Sequence, residues 1–78
     1  MSPTIREENG RFVVELPEWG VEECSTREGA EAIGEGWSVL RAPSVPPEQV
    51  EATLKRLARS DIWAHNNRLA RQVFGRLE

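Results

Sequence analysis

The chain has 78 residues, 13 acidic and 10 basic side chains, a net charge of -3 and 38% hydrophobic residues. Its length fits one domain over residues 1–78, and its apolar content exceeds that of a disordered chain. One cysteine, Cys24, excludes an internal disulfide, and with one histidine, His65, the soft ligands for a zinc site are nearly absent. No apolar run reaches the ~18 residues of a membrane helix.

The first half reads as strands. Thr4–Glu8 and Arg11–Leu16 flank Asn9-Gly10. That dipeptide favours a type I′ hairpin, which needs positive φ at both central residues. Phe12, Val14 and Leu16 share one face of the second strand, Val13 and Glu15 the other. Pro17 ends that strand, because it has no amide to donate. Pro17-Glu18-Trp19-Gly20 reads as a turn and Val21–Cys24 as a short third strand.

Ser25-Thr26-Arg27-Glu28 has the spacing of a capping box, so a helix is expected to start at Ser25. Gly34 and Gly36 are poor helix formers and are expected to end it. Trp37–Arg41 then reads as a fourth strand, from its β-branched and aromatic content and Pro43 beyond it. Pro47 suits a first helical turn, with Val50, Leu54, Leu57 and Ala58 on one face. Ser60-Asp61 reads as a break and a new N-cap. Ile62, Trp63, Asn66, Leu69, Ala70, Val73, Phe74 and Leu77 then make a second amphipathic helix, the alternative being one long helix from Pro47. The expected fold is α+β: a small antiparallel sheet of three to four strands packed against helices, with two C-terminal helices.

The charge is unevenly placed. Residues 1–48 carry ten glutamates and four arginines, a net -6; residues 49–78 carry a net +3. An acidic, sheet-rich half (1–41) therefore precedes a basic, helical half (47–78). Arg56, Arg59, Arg68, Arg71 and Arg76 are candidates for phosphate contact. The acidic pI speaks against direct nucleic-acid binding, and pairing of these arginines within the chain is the simpler expectation. Glu7, Glu8, Glu18, Glu22, Glu23, Glu28 and Glu31, with Trp19, are the candidate partner-binding residues. A negative surface docks fast and selectively on a basic protein, and tryptophan is enriched at binding hot spots.

Catalytic equipment is not expected. Cys24 with His65 as its base is conceivable, but Cys24 reads better as a small buried hydrophobe. The clustered glutamates lack a deep pocket to separate two carboxyl pKa values. No Gly-rich phosphate loop is present, since Gly34-Glu35-Gly36 lacks the following Gly and Lys. Of three tryptophans, Trp19 is the one expected outside the core, and Trp63–Asn67 is a second possible contact patch. No cofactor or metal is expected. The free thiol and the lack of a signal-peptide pattern in Met1–Thr4 lead to a cytoplasmic expectation. Monomer and homodimer stay open.

Glu8–Glu18 and Ser25–Ile33 together resemble the N-terminal domain of HicB-type antitoxins. The shared features are a hairpin, a strand ending in Pro and an acidic residue, a short strand, and a Thr/Glu-capped helix. That resemblance implies a β-β-β-α-β fold related to a degenerate RNase H core, and a role in blocking a small RNA-cleaving toxin. In size, acidity and lack of catalytic residues the chain is also similar to small inhibitors of phages and mobile elements, including anti-CRISPR proteins. That similarity implies a non-enzymatic inhibitor whose partner is a basic nucleic-acid-binding protein or a CRISPR effector complex.

Overall fold

The computed structural model describes residues 2–60 and 68–77. Strands β1 (Thr4–Glu8), β2 (Arg11–Leu16) and β3 (Gly20–Cys24) form an antiparallel sheet in the order β1-β2-β3. Helices α1 (Arg27–Arg41), α2 (Pro47–Ala58) and α3 (Arg68–Gly75) follow. The architecture is α+β, with two C-terminal helices.

Asn9 and Gly10 have φ of 53° and 78°, the backbone that a type I′ hairpin demands. The resulting register aligns Ile5 with Val14 and Glu22, and Glu7 with Phe12 and Cys24, on the helix side of the sheet. Val14, Leu16 and Cys24 are buried there. The opposite face carries Arg6, Val13 and Glu23 in one row and Thr4, Glu15 and Val21 in the next. It is polar apart from Val13 and Val21. Val13 is nonetheless only 6% exposed. Its cross-strand neighbour Arg6 pairs with both Glu8 and Glu15 on the same face, so a charged network overlies the valine.

Between β2 and β3 the Trp19 amide donates to the Leu16 carbonyl at 3.0 Å. Pro17 occupies the second position and Glu18, at φ 66°, the third. That is the pattern of a type II turn, with glutamate where glycine is usual.

Helix α1 departs from expectation in three ways. Its N-cap is Thr26, not Ser25: the Thr26 side chain accepts from the Gly29 amide at 3.0 Å. Gly29 suits that place because a Cβ there would lie 3.0 Å from Ser60 Cβ and 3.1 Å from Thr26 Oγ1. Gly34 and Gly36 do not end the helix. Trp37–Arg41 is its final stretch rather than a fourth strand, so among the described residues the sheet has three strands. The reason is packing on two sides. α1 lies between the sheet and the layer of α2 and α3, burying Ala30, Ile33, Trp37 and Val39. A Cβ at Gly36 would sit 3.2 Å from Leu57 Cδ1 and 3.5 Å from Leu69 Cδ2 and Val73 Cγ2. A glycine costs about 1 kcal/mol within a helix, and this close helix–helix approach offsets it. Among the described residues no strand follows α1, where the antitoxin resemblance implies a β-β-β-α-β order.

Helix α2 opens with Pro47 at its first position and ends at Ala58. Val50, Thr53 and Leu57 are buried, whereas Ala58, expected on the apolar face, is exposed. Ser60 is buried and its hydroxyl donates to the Leu57 carbonyl at 2.7 Å. In α3, Leu69, Ala70 and Val73 join the core, but Phe74, also expected there, is 54% exposed. Of the expected break and N-cap at Ser60-Asp61 only Ser60 is described, and the expected helix positions Ile62, Trp63 and Asn66 lie outside the described residues. Among the described residues no helix is long and apolar enough to cross a membrane.

Candidate functional site

The β2–β3 turn, the start of β3, the end of α1 and the start of α3 meet at one corner. Trp19 is half-buried there. Its indole N–H donates to Glu22 Oε1 at 3.0 Å, and the Arg68 guanidinium lies 4.3 Å from its ring centroid. A cation over the negative ring face fixes the indole orientation. Trp37 is buried and its indole N–H donates to the Pro17 carbonyl at 3.1 Å. Arg41 lies 5.2 Å from the Trp37 ring centroid and donates to Glu18 Oε2 at 2.6 Å. That hydrogen bond, with the attraction of the positive charge, holds the Glu18 carboxyl below the usual carboxylate range.

Shallow openings flank the turn. One, of about 210 Å³, is lined by Trp19, Trp37, Leu40, Arg41 and Gln72 beside Pro17 and Glu18. Another, of about 640 Å³, has Glu15, Glu18 and Val21 on its rim. Val21 is 58% exposed.

The eight residues singled out from sequence do not form one patch. Glu18, Trp19, Glu22 and Glu23 gather at this corner and along β3, with Glu22 on the helix side and Glu23 on the open face. Glu7 and Glu8 lie on the opposite edge strand, at its hairpin end. Glu28 and Glu31 sit on the exposed side of α1. Three of the carboxylates have arginine partners within the chain: Glu8 with Arg6, Glu18 with Arg41, and Glu28 with Arg59 at 3.9 Å. Glu7, Glu23 and Glu31 have no ion pair among the described residues.

The opposite charges of the two halves are partly joined. Glu35 on α1 accepts from Thr53 Oγ1 at 3.0 Å and pairs with Arg56, both on α2. Arg76 donates to the Ala42 carbonyl at 2.6 Å. Arg71 stays exposed on α3.

Sequence reasoning missed two participants, Val21 and Arg41. For Val21 a signal existed: the hairpin register places it opposite Glu15, on the polar face, where an apolar residue stands out. For Arg41 no local signal existed, since it reaches Glu18 only because α1 continues past Gly36.

Cys24 is buried, and its thiol donates to the Thr26 carbonyl at 3.1 Å. His65, its suggested base, and the Trp63–Asn67 patch lie outside the described residues. Among the described residues no three His, Cys, Asp or Glu side chains gather in a way that could hold a metal ion.

No family model matches this chain. Searches of curated proteins and of solved structures found no match either.

Proposed function

We propose that this chain is a non-enzymatic inhibitor that docks its β3 edge and Trp19 corner on a basic surface of a nucleic-acid-processing complex. By occupying that surface it blocks access of nucleic acid or recruitment of a nuclease, in the manner of anti-CRISPR proteins. The observation that carries the reading is the composition of the corner. An aromatic anchor (Trp19), an exposed aliphatic (Val21) and a carboxylate without an ion pair among the described residues (Glu23) share one short stretch. Apolar anchors supply affinity and the charge around them supplies steering. Engagement of Arg56 and Arg59 by glutamates, and of Arg76 by a carbonyl, argues against a phosphate-binding row of arginines.

The test is binding of the purified chain to purified CRISPR effector complexes, with and without charge reversal at Glu22 and Glu23. Salt-sensitive binding by the native chain, lost on reversal, is expected. Equal binding by the charge-reversed chain would refute the docking surface. The Thr26-capped helix after three antiparallel strands supports a second reading, a HicB-like antitoxin. Rescue of growth on co-expression with a small RNA-cleaving toxin would favour that reading over the first.

A further inference from the structure

We infer that the partner engages β3 by strand addition: an extended, basic segment pairs antiparallel with the open edge of Gly20–Cys24. This rests on the docking function proposed above and names its mode. The sheet order leaves both β1 and β3 as edges, and among the described residues neither has an outer strand partner. Exposed edges invite pairing, and proteins blunt them with charge, proline or bulges.

The two edges are treated differently. On β1, Pro3 precedes the strand and Arg6, at its centre, is tied to Glu8 and Glu15. On β3 the central open-face positions are Val21, 58% exposed, and Glu23, without an ion pair among the described residues. Beside Val21 lies the opening of about 640 Å³ with Glu15 and Glu18 on its rim.

Charge selects the occupant. A second copy of β3, paired antiparallel about Glu22, would set Glu22 against Glu22 and Val21 against Glu23. Like charges directly opposite are destabilising, so the edge repels itself. A basic strand satisfies it instead. In antiparallel register the segment reads, from its N-terminus, basic opposite Glu23, basic opposite Glu22 and apolar opposite Val21. Main-chain hydrogen bonds then give affinity and the side chains give selectivity.

The probe is a capped peptide, Thr-Lys-Arg-Val-Thr, titrated into the isotope-labelled full chain and followed by amide NMR. Saturable shifts at residues 21–24, with antiparallel cross-strand contacts, are expected at up to about 5 mM peptide. N-methylating alternate peptide amides removes main-chain donors without touching the protein, and is expected to weaken binding about tenfold or more. No shift, shifts confined to other elements, or unchanged affinity of the N-methylated peptide would overturn strand addition.

A second arm separates this mode from docking itself. Successive strand amides alternate between β2 and the open edge, so one of Val21→Pro and Glu22→Pro removes only an edge donor. Circular dichroism identifies the variant that stays folded. If that variant still binds the effector complex while reversal of Glu22 and Glu23 abolishes binding, strand addition falls and the docking function stands. If neither change affects binding, the docking function falls as well.

Discussion

Two glycines in the middle of α1 provide a sharp test of how this fold is held. Gly34 and Gly36 both have ordinary negative φ, so alanine fits the backbone at either position. Replacing an interior helix glycine by alanine gains about 0.8–1.0 kcal/mol of propensity. At Gly34 the new methyl would meet Pro3 Cβ at 3.5 Å and Pro3 Cγ at 3.6 Å, ordinary van der Waals contact. The gain survives, and Gly34→Ala is expected to stabilise by about 1 kcal/mol, raising Tm by about 4–8 °C. At Gly36 the methyl would meet Leu57 Cδ1 at 3.2 Å, closed in by Leu69 and Val73 at 3.5 Å. Leu57 is fully buried, so it cannot move aside without disturbing its own neighbours. Overpacking of this kind costs about 1–3 kcal/mol, which cancels or exceeds the propensity gain. Gly36→Ala is therefore expected to be neutral to destabilising, by up to about 2 kcal/mol. Urea and thermal denaturation, read by circular dichroism and tryptophan fluorescence, measure both. If Gly36→Ala stabilised as much as Gly34→Ala, α1 would not be clamped against α2 and α3 at that residue. The account of why the helix continues would then fail.

Three further outcomes follow from single contacts. Thr26→Ala removes the α1 N-cap and is expected to cost about 1 kcal/mol in chemical denaturation; no loss would return the cap to Ser25. Thr53→Val keeps shape but deletes the hydroxyl that donates to Glu35, and a loss of about 1–2 kcal/mol is expected. A neutral result there would mean that Arg56 alone satisfies the carboxylate. The Glu18–Arg41 pair gives a pH signature. Because the folded-state pKa of Glu18 is depressed, its contribution is fully present above the ordinary carboxylate range. It is lost as pH falls from that range through the lower folded value. Carboxyl NMR titration should show Glu18 returning to the ordinary range in Arg41→Gln; identical titration in both chains would remove the pair from the account.

What was legible in the sequence is what short-range chemistry decides. Asn9-Gly10 names its turn because two positive φ angles are cheap there. Pro17 ends β2 for want of an amide, and Pro47 opens α2 where that amide has no partner to lose. Alternation along β2 places Val14 and Leu16 in the core. For the candidate site, Glu18, Trp19, Glu22 and Glu23 were visible as an acidic and aromatic stretch. Their separation from Glu7, Glu8, Glu28 and Glu31 was not, because strand order decides which edge each residue reaches.

The remainder needed contacts distant along the chain. Local propensity ends α1 at Gly34, yet Leu57, Leu69 and Val73 close on Gly36 and carry the helix to Arg41. Only then does Arg41 reach Glu18, and only then does Trp37 bond to Pro17 twenty residues earlier. The net charge of -3 is likewise a balance between halves that meet in space. Arg56 and Arg59 engage Glu35 and Glu28 across the helix layer, while Glu23 faces outward without an ion pair among the described residues. Sequence by itself determined the hairpin turns, the start of α1 within one residue and the inward face of β2, because those depend on neighbours along the backbone. Tertiary packing decided the length of α1 and which charges stay unpaired, because those depend on what lies across the core.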